Sequence, residues 1–173
     1  MLSSYTALID GRAQRAEFER FYSGNRKAGL IRAYAILQDK ADAEDALSEA
    51  FLRLARCFGR VRSLPENKLR AYFAIIVKNA ALDILRKTSK EQLLPYDDEA
   101  QYDIAELPDA SEERLSECIQ RLSESNREIL YLRYDLELSH SEIAAALGIS
   151  EEASRQRVRY AKSKLRAELL KEE

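Results

Sequence analysis

The segment from Leu138 to Ser150, LSHSEIAAALGIS, constrains the fold more than any other part of the chain. It describes a short helix that stops at Gly148 and a second that starts two residues later. Ser139 and Glu142 have the spacing of a capping box, which satisfies free N–H groups at a helix start. Ile143, Ala144 and Leu147 give that helix an inner face. Gly148 permits a left-handed backbone, Ile149 plugs the corner, and Ser150 can cap the second helix. That second helix, EEASRQRVRYAKSKLRAEL, carries only basic charges from Arg155 to Arg166.

Placed on a helical wheel, Val158, Ala161, Leu165 and Leu169 form one buried seam. Opposite them lie Glu152, Gln156, Arg159 and Ser163. Arg155, Lys162 and Arg166 flank that stripe on one side, and Arg157 and Lys164 on the other, with Tyr160 among them. A polar stripe between cationic rails suits a DNA major groove, where base edges lie between two lines of phosphate. Arginine can fork onto guanine and glutamine onto adenine. A merely solvated charged face is the plainer alternative. It accounts neither for the Gly-Ile-Ser corner nor for rails free of acids. The expected DNA-contacting residues are therefore Arg155, Gln156, Arg157, Arg159, Tyr160, Lys162, Ser163 and Arg166. The motif is that of a helix-turn-helix.

The rest of the chain is also helical in pattern. Alternating β-branched runs and Asn-Gly or Asp-Gly hairpin turns are missing. A first helical segment is expected over about 16–38, with Phe18, Phe21, Tyr22, Leu30, Tyr34 and Leu37 as its apolar side, weakened at Gly24 and Gly29. In DKADAEDALSEAFLRLARCFGRV, Asp42 is expected to cap and Gly59 to terminate. Ala43, Leu47, Ala50, Leu54 and Phe58 make its buried stripe. KLRAYFAIIVKNAALDILRK is apolar around most of its circumference and reads as a central bundle helix. Even so, Tyr72, Asn79, Asp83 and Arg86 align on one side.

Between Thr88 and Ala110 the periodicity breaks, with two prolines and one lysine against seven acids. Residues 1–87, by contrast, hold 16 basic against 10 acidic side chains. The expected fold is thus all-α. Two small helical domains at 1–88 and 111–173 are joined by an acidic linker at 89–110. Asp109 with Glu112, and Ser125 with Glu128, announce the first two of four short closing helices.

Chemistry is hard to place here. The single histidine, His140, reads as a solvent-side residue near a cap. Cys57 and Cys118 are far apart and sit at apolar helical positions, so zinc lacks ligands. There is no Gly-rich phosphate loop, metal cluster or catalytic triad, so neither an enzyme nor a cofactor is expected. No run approaches the roughly 20 apolar residues of a membrane span, and the N-terminus lacks the apolar core of a signal peptide. The cytoplasm is the expected compartment, with no membrane insertion.

The segment from Arg127 to Leu169 resembles the promoter-reading region 4 of bacterial sigma factors. ADAEDALSEAFLRLARCFGRV and KLRAYFAIIVKNAALDILRK resemble region 2, with its acidic AED helix start, E-x-F-L-R and N-x-A-L-D-x-L-R. Two such regions joined by a short acidic linker resemble the extracytoplasmic-function (ECF) group of the sigma-70 family.

The resemblance implies a factor that binds core RNA polymerase and directs initiation by recognising −10 and −35 elements. Region 2 would dock on the β′ clamp helices and region 4 on the β flap, with promoter DNA as the second partner and an anti-sigma factor as a third. By the same resemblance, Asp45, Glu49, Phe51 and Arg53 would face polymerase. Arg62, Asn67, Tyr72, Asn79 and Arg86 would handle the melted −10 strand, where aromatic faces and amides suit unstacked bases.

The chain departs from the family pattern in having Tyr72-Phe73 where a Trp-aromatic pair is usual. It has Ala153-Ser154 where Thr-Val is common and Glu152 in place of a common glycine. These departures bear on the promoter sequence rather than on the activity. The competing function is a free-standing helix-turn-helix regulator that never engages polymerase.

Overall fold

The computed structural model describes residues 2–89 and 107–171. The elements are α1 (Leu2–Thr6), α2 (Arg12–Leu37), α3 (Lys40–Val61) and α4 (Glu66–Ser89), then α5 (Glu112–Arg121) and α6 (Glu124–Leu130). A π-helical turn (Tyr131–Asp135), α7 (His140–Leu147) and α8 (Glu151–Leu169) complete them. No strand occurs among the described residues. Most of the expected acidic linker at 89–110 lies outside them.

Two compact units form. The first is built on α1–α4 and takes in residues 145–149; the second holds α5, α6, the π turn, the start of α7, and α8. In the first unit α2, α3 and α4 pack pairwise, and α1 lies on α2 and α3. Aromatic rings fill the centre: Phe18 meets Phe58 edge-on at 5.1 Å, and Phe51 lies 4.5 Å from both Tyr22 and Phe73. The apolar stripe of α3 is buried as expected, joined by Phe51, Cys57 and Val61.

Several local expectations change. α2 runs unbroken through both glycines. Gly29 is there for proximity, since a Cβ at that position would lie 2.6 Å from Leu47 Cδ1 and 3.3 Å from the Phe73 ring. Gly29 and Ala33 therefore line the contact, while Tyr34, expected on the apolar side, is exposed.

Gln38 takes a left-handed backbone (φ 56°) that reverses the chain. Asp39 is then the first extended residue, and it, not Asp42, caps α3 by accepting from Asp42 N at 2.9 Å. α3 also continues past Gly59, because Val61 adds one more buried position to its stripe.

In the second unit the caps fall on Ser111 and Ser123 instead of Asp109 and Ser125. Those two serines have the extended backbone from which a hydroxyl can reach an N–H three residues on. Two arginines satisfy helix C-termini. Arg127 donates to the carbonyls of Gln120 and Leu122 at 2.7 and 3.0 Å, and Arg114 to those of Leu169 and Lys171 at 3.0 and 3.1 Å.

Candidate nucleic-acid interface

The helix-turn-helix is built as its residues dictate. Ser139 and Glu142 form the reciprocal box: Ser139 N donates to Glu142 Oε2 at 2.7 Å, and Glu142 N to Ser139 Oγ at 3.3 Å. Gly148 turns left-handed at φ 66°. Ser150 Oγ then accepts from Ala153 N at 3.0 Å, starting α8.

On α8 the seam of Val158, Ala161, Leu165 and Leu169 is buried, with Ser154 wholly enclosed. The opposite stripe faces outward: Glu152 and Arg159 are exposed, Gln156 and Ser163 half-buried. Arg159, Lys162 and the Gln156 amide have no hydrogen-bond or ion-pair partner among the described residues. They are thus available to a ligand. Arg155 is engaged by Glu151 and by Glu152, the latter at 3.4 Å. Ser163 donates to the Tyr160 carbonyl at 2.8 Å, which leaves its lone pairs for outside donors. Lys164 sits over the Tyr160 ring at 5.1 Å. Arg157 and Arg166 are half-buried on their rails.

His140 is not simply a solvent-side residue. Its Nδ1 lies 3.2 Å from Ser154 Oγ, linking the start of α7 to the seam of α8. Burial, then the nearby charges of Arg133 and Arg155, hold its pKa below the ordinary imidazole value; Glu151 opposes and Arg159 adds to the shift. One histidine in a row of serines gave no sequence signal for this bond, because its partner belongs to the next helix.

The second unit also carries an apolar groove of about 780 Å³ between α5, α6, the π turn and α8. Leu115, Ile119, Leu130, Tyr131, Tyr134 and Leu165 line it. Tyr134 is 57% exposed there, an unusual position for a large ring.

The first unit sorts its expected site residues unevenly. Two are core residues. Tyr72 is 0% exposed with its hydroxyl 3.4 Å from Cys57 Sγ, so its ring cannot stack on a base. Phe51 is 1% exposed inside the aromatic cluster and presents nothing to polymerase. The rings of Tyr5, Phe18, Tyr22 and Phe73 enclose Phe51. Tyr72, by contrast, is buried because the α4 stripe of Tyr72, Asn79, Asp83 and Arg86 runs along the seam with α3. Tyr72 meets Cys57 at one end and Asp83 meets Arg53 at the other. Asp83 and Arg86 form a partnered edge of that seam, while Asn79 bonds back to its own helix.

There Arg53 bridges Glu49 at 2.8 Å and Asp83 at 3.0 Å, and Asp83 holds Arg86 at 3.1 Å. Burial works against the Arg53 charge, but the bonds to Glu49 and Asp83 outweigh it and raise its pKa. Residues expected to serve polymerase (Glu49, Arg53) and DNA (Arg86) thus share one network. Sequence reading placed Asp83 on the stripe but missed it as their link. The Glu49–Arg53 spacing was a readable signal; the Arg53–Asp83 contact was not.

Asp45 is exposed, and the half-buried Asn79 donates to its own helix at Ile75 O, 2.9 Å away. Arg62 is clamped by Glu17 through two bonds of 2.6 and 2.7 Å, which raise its own pKa and lower that of Glu17. The connection between α3 and α4 spans only 62–65, leaving Asn67 exposed in the first turn of α4. Cys57 and Cys118 are buried, as their apolar positions suggested. Among the described residues no group of side chains could hold a metal ion.

Comparison with known proteins is consistent in both units. Residues 25–91 match the family model for sigma-70 region 2, and residues 118–167 that for sigma-70 region 4. The chain is 30% identical over 159 residues to the RNA polymerase sigma-E factor of Streptomyces coelicolor, covering 89% of this chain and 86% of that protein. It is 28% identical over 158 residues to the same-named factor of Streptomyces avermitilis, covering 88% and 85%. The corresponding protein of Streptomyces antibioticus is likewise 28% identical over 159 residues, covering 88% and 84%.

Proposed function

The chain belongs to the sigma-70 family of RNA polymerase sigma factors, in its extracytoplasmic-function group, and from that premise we propose how its two helical units divide the work. As a sigma factor it binds core RNA polymerase and directs transcription initiation at promoters. The family does so without catalysis of its own. The region 2 match over 25–91 leaves the free-standing regulator without support.

Residues 1–88 form the polymerase and −10 domain, 89–110 the acidic linker, and 111–173 the −35 domain. The outer face of α3, with Asp45 and with Glu49 held in place by the mostly buried Arg53, docks on the β′ clamp helices. Its mixed charges suit a partner helix that also carries both signs. Asn67, Asn79 and Arg86 follow the melted −10 strand, joined by Arg62 once it leaves Glu17. In the second unit the apolar groove beside Tyr134 receives a helix of the β flap, while α8 enters the −35 major groove. An anti-sigma factor would act by covering the same α3 face or groove. The cytoplasm, where polymerase and chromosome lie, is the working compartment. No described helix is long and apolar enough to cross a membrane.

One observation carries this reading. The helix after the Gly148 turn buries one seam and turns Gln156, Arg159 and Lys162 outward, with no partner for them among the described residues. The test is runoff transcription with purified core polymerase on genomic promoter fragments, including the region upstream of the gene itself. Specific starts only when both proteins are present are expected. Tight specific binding to duplex promoter without core polymerase would overturn the reading.

A further inference from the structure

Ser154 is the only side chain on the α8 seam with a hydroxyl, and it is 0% exposed. A buried hydroxyl needs a partner, because leaving it unmade costs the desolvation of the group. Among the described residues its side-chain partner is His140, with Nδ1 at 3.2 Å. His140 is the first residue of α7, and Ser154 directly precedes Arg155 and Gln156 on the reading face of α8.

We propose that His140 is a positioning residue for promoter reading: its neutral ring accepts the Ser154 hydroxyl and so sets how the first turns of α8 sit against α7. This rests on the reading of α8 as the −35 helix.

For Nδ1 to accept, the ring must be neutral with its proton on Nε2. The charges facing it favour that state. Arg133 from the π turn and Arg155 and Arg159 from α8 oppose a further positive charge, while Glu151 from α8 is the one acid on the other side. On protonation Nδ1 becomes a donor to the Ser154 oxygen, the Ser154 proton loses this acceptor and must turn elsewhere, and a fourth cation joins the arginines. The arrangement with Ser154 as donor therefore holds above the histidine's folded pKa and gives way to its reverse, beside three arginines, below it. Because that pKa is lowered, the unfolded chain takes up the proton first. Stability accordingly declines as pH falls from about 6.5, and the cost is complete below the folded value.

The consequence falls on selectivity more than on affinity. Base readout needs donors and acceptors within a narrow distance range, so a shift in the tilt of α8 degrades it. Attraction of the rails to phosphate survives such a shift.

The test uses the full chain as His140→Ala, Ser154→Ala, the double variant and His140→Asn, whose amide oxygen takes the place of Nδ1 as acceptor. Each is unfolded in urea, then assayed with core polymerase on a −35 library over a series of pH values from about 7.5 downward. His140→Ala should lose roughly tenfold in its folded-to-unfolded ratio, and adding Ser154→Ala should restore most of it, since the orphaned hydroxyl is gone. Wild-type selectivity should drop several-fold as pH falls through the histidine's folded pKa, while His140→Asn should remain folded with a flat profile. Additive losses in the double variant, or the same pH profile in His140→Asn, would overturn the proposal. A wild-type protein that selects no −35 sequence would sink the reading of α8 and the promoter role together. The urea arm would still decide whether the bond exists.

Discussion

Arg53 and Asp83 stand 30 residues apart in the chain and 3.0 Å apart in the fold, a charged bridge between α3 and α4 with a mostly buried guanidinium. The Arg53 side chain is 12% exposed and that of Asp83 29%, whereas Glu49, its other partner, is 41% exposed. Bonds to a charged group that water cannot replace are worth more than exposed pairs. Asp83→Asn should therefore cost about 1–3 kcal/mol of stability. Glu49→Ala should cost only about 0.2–1 kcal/mol. Urea midpoints at unchanged slope measure both, and equal losses would contradict the burial difference.

The two mid-helix glycines of α2 should respond with opposite signs. Gly24 has nothing within 4 Å of a built Cβ, so Gly24→Ala should stabilise by about 0.5–1 kcal/mol through helix propensity. Gly29→Ala forces Leu47 and Phe73 to move and should destabilise by about 1–3 kcal/mol. Thermal melts of the two variants would read the difference directly.

Asn79 donates its amide to a carbonyl of its own helix, and its surroundings are half open. Asn79→Ala should leave core-polymerase binding and folding intact and impair open-complex formation, seen as reduced permanganate reactivity of −10 thymines. A variant that opens every promoter normally would remove Asn79 from the DNA path. Tyr72→Phe gives the contrast. With its ring wholly enclosed, it should affect stability alone.

The rails and stripe of α8 should separate by salt. Lys162→Ala and Arg166→Ala should weaken DNA contact at all sequences and reduce the salt slope by about one unit each. Gln156→Ala or Arg159→Ala should cost about 1–3 kcal/mol at one −35 position and relax preference there. Transcription from a −35 library at two salt concentrations distinguishes them. A uniform loss from all four would mean that the helix anchors without reading.

What the sequence determined by itself was everything that depends on neighbours a few residues away. Helical periodicity, the Ser139–Glu142 box, the left-handed Gly148 and the Ser150 cap involve separations of one to four positions, so their chemistry is written in order along the chain. The buried seam of α8 and its outward polar stripe are legible for the same reason.

Tertiary structure decided which side of each wheel would be covered and by what. Tyr72 and Asn79 share a helix side by spacing, but Cys57 of α3 closes over the first and leaves the second half open. Phe51 looked like a surface residue beside Arg53 until α1, α2 and α4 brought rings around it. The bonds Arg53–Asp83, Arg62–Glu17 and His140–Ser154 each join different helices. No local spacing encodes them, because which helix faces which is settled by packing the whole bundle.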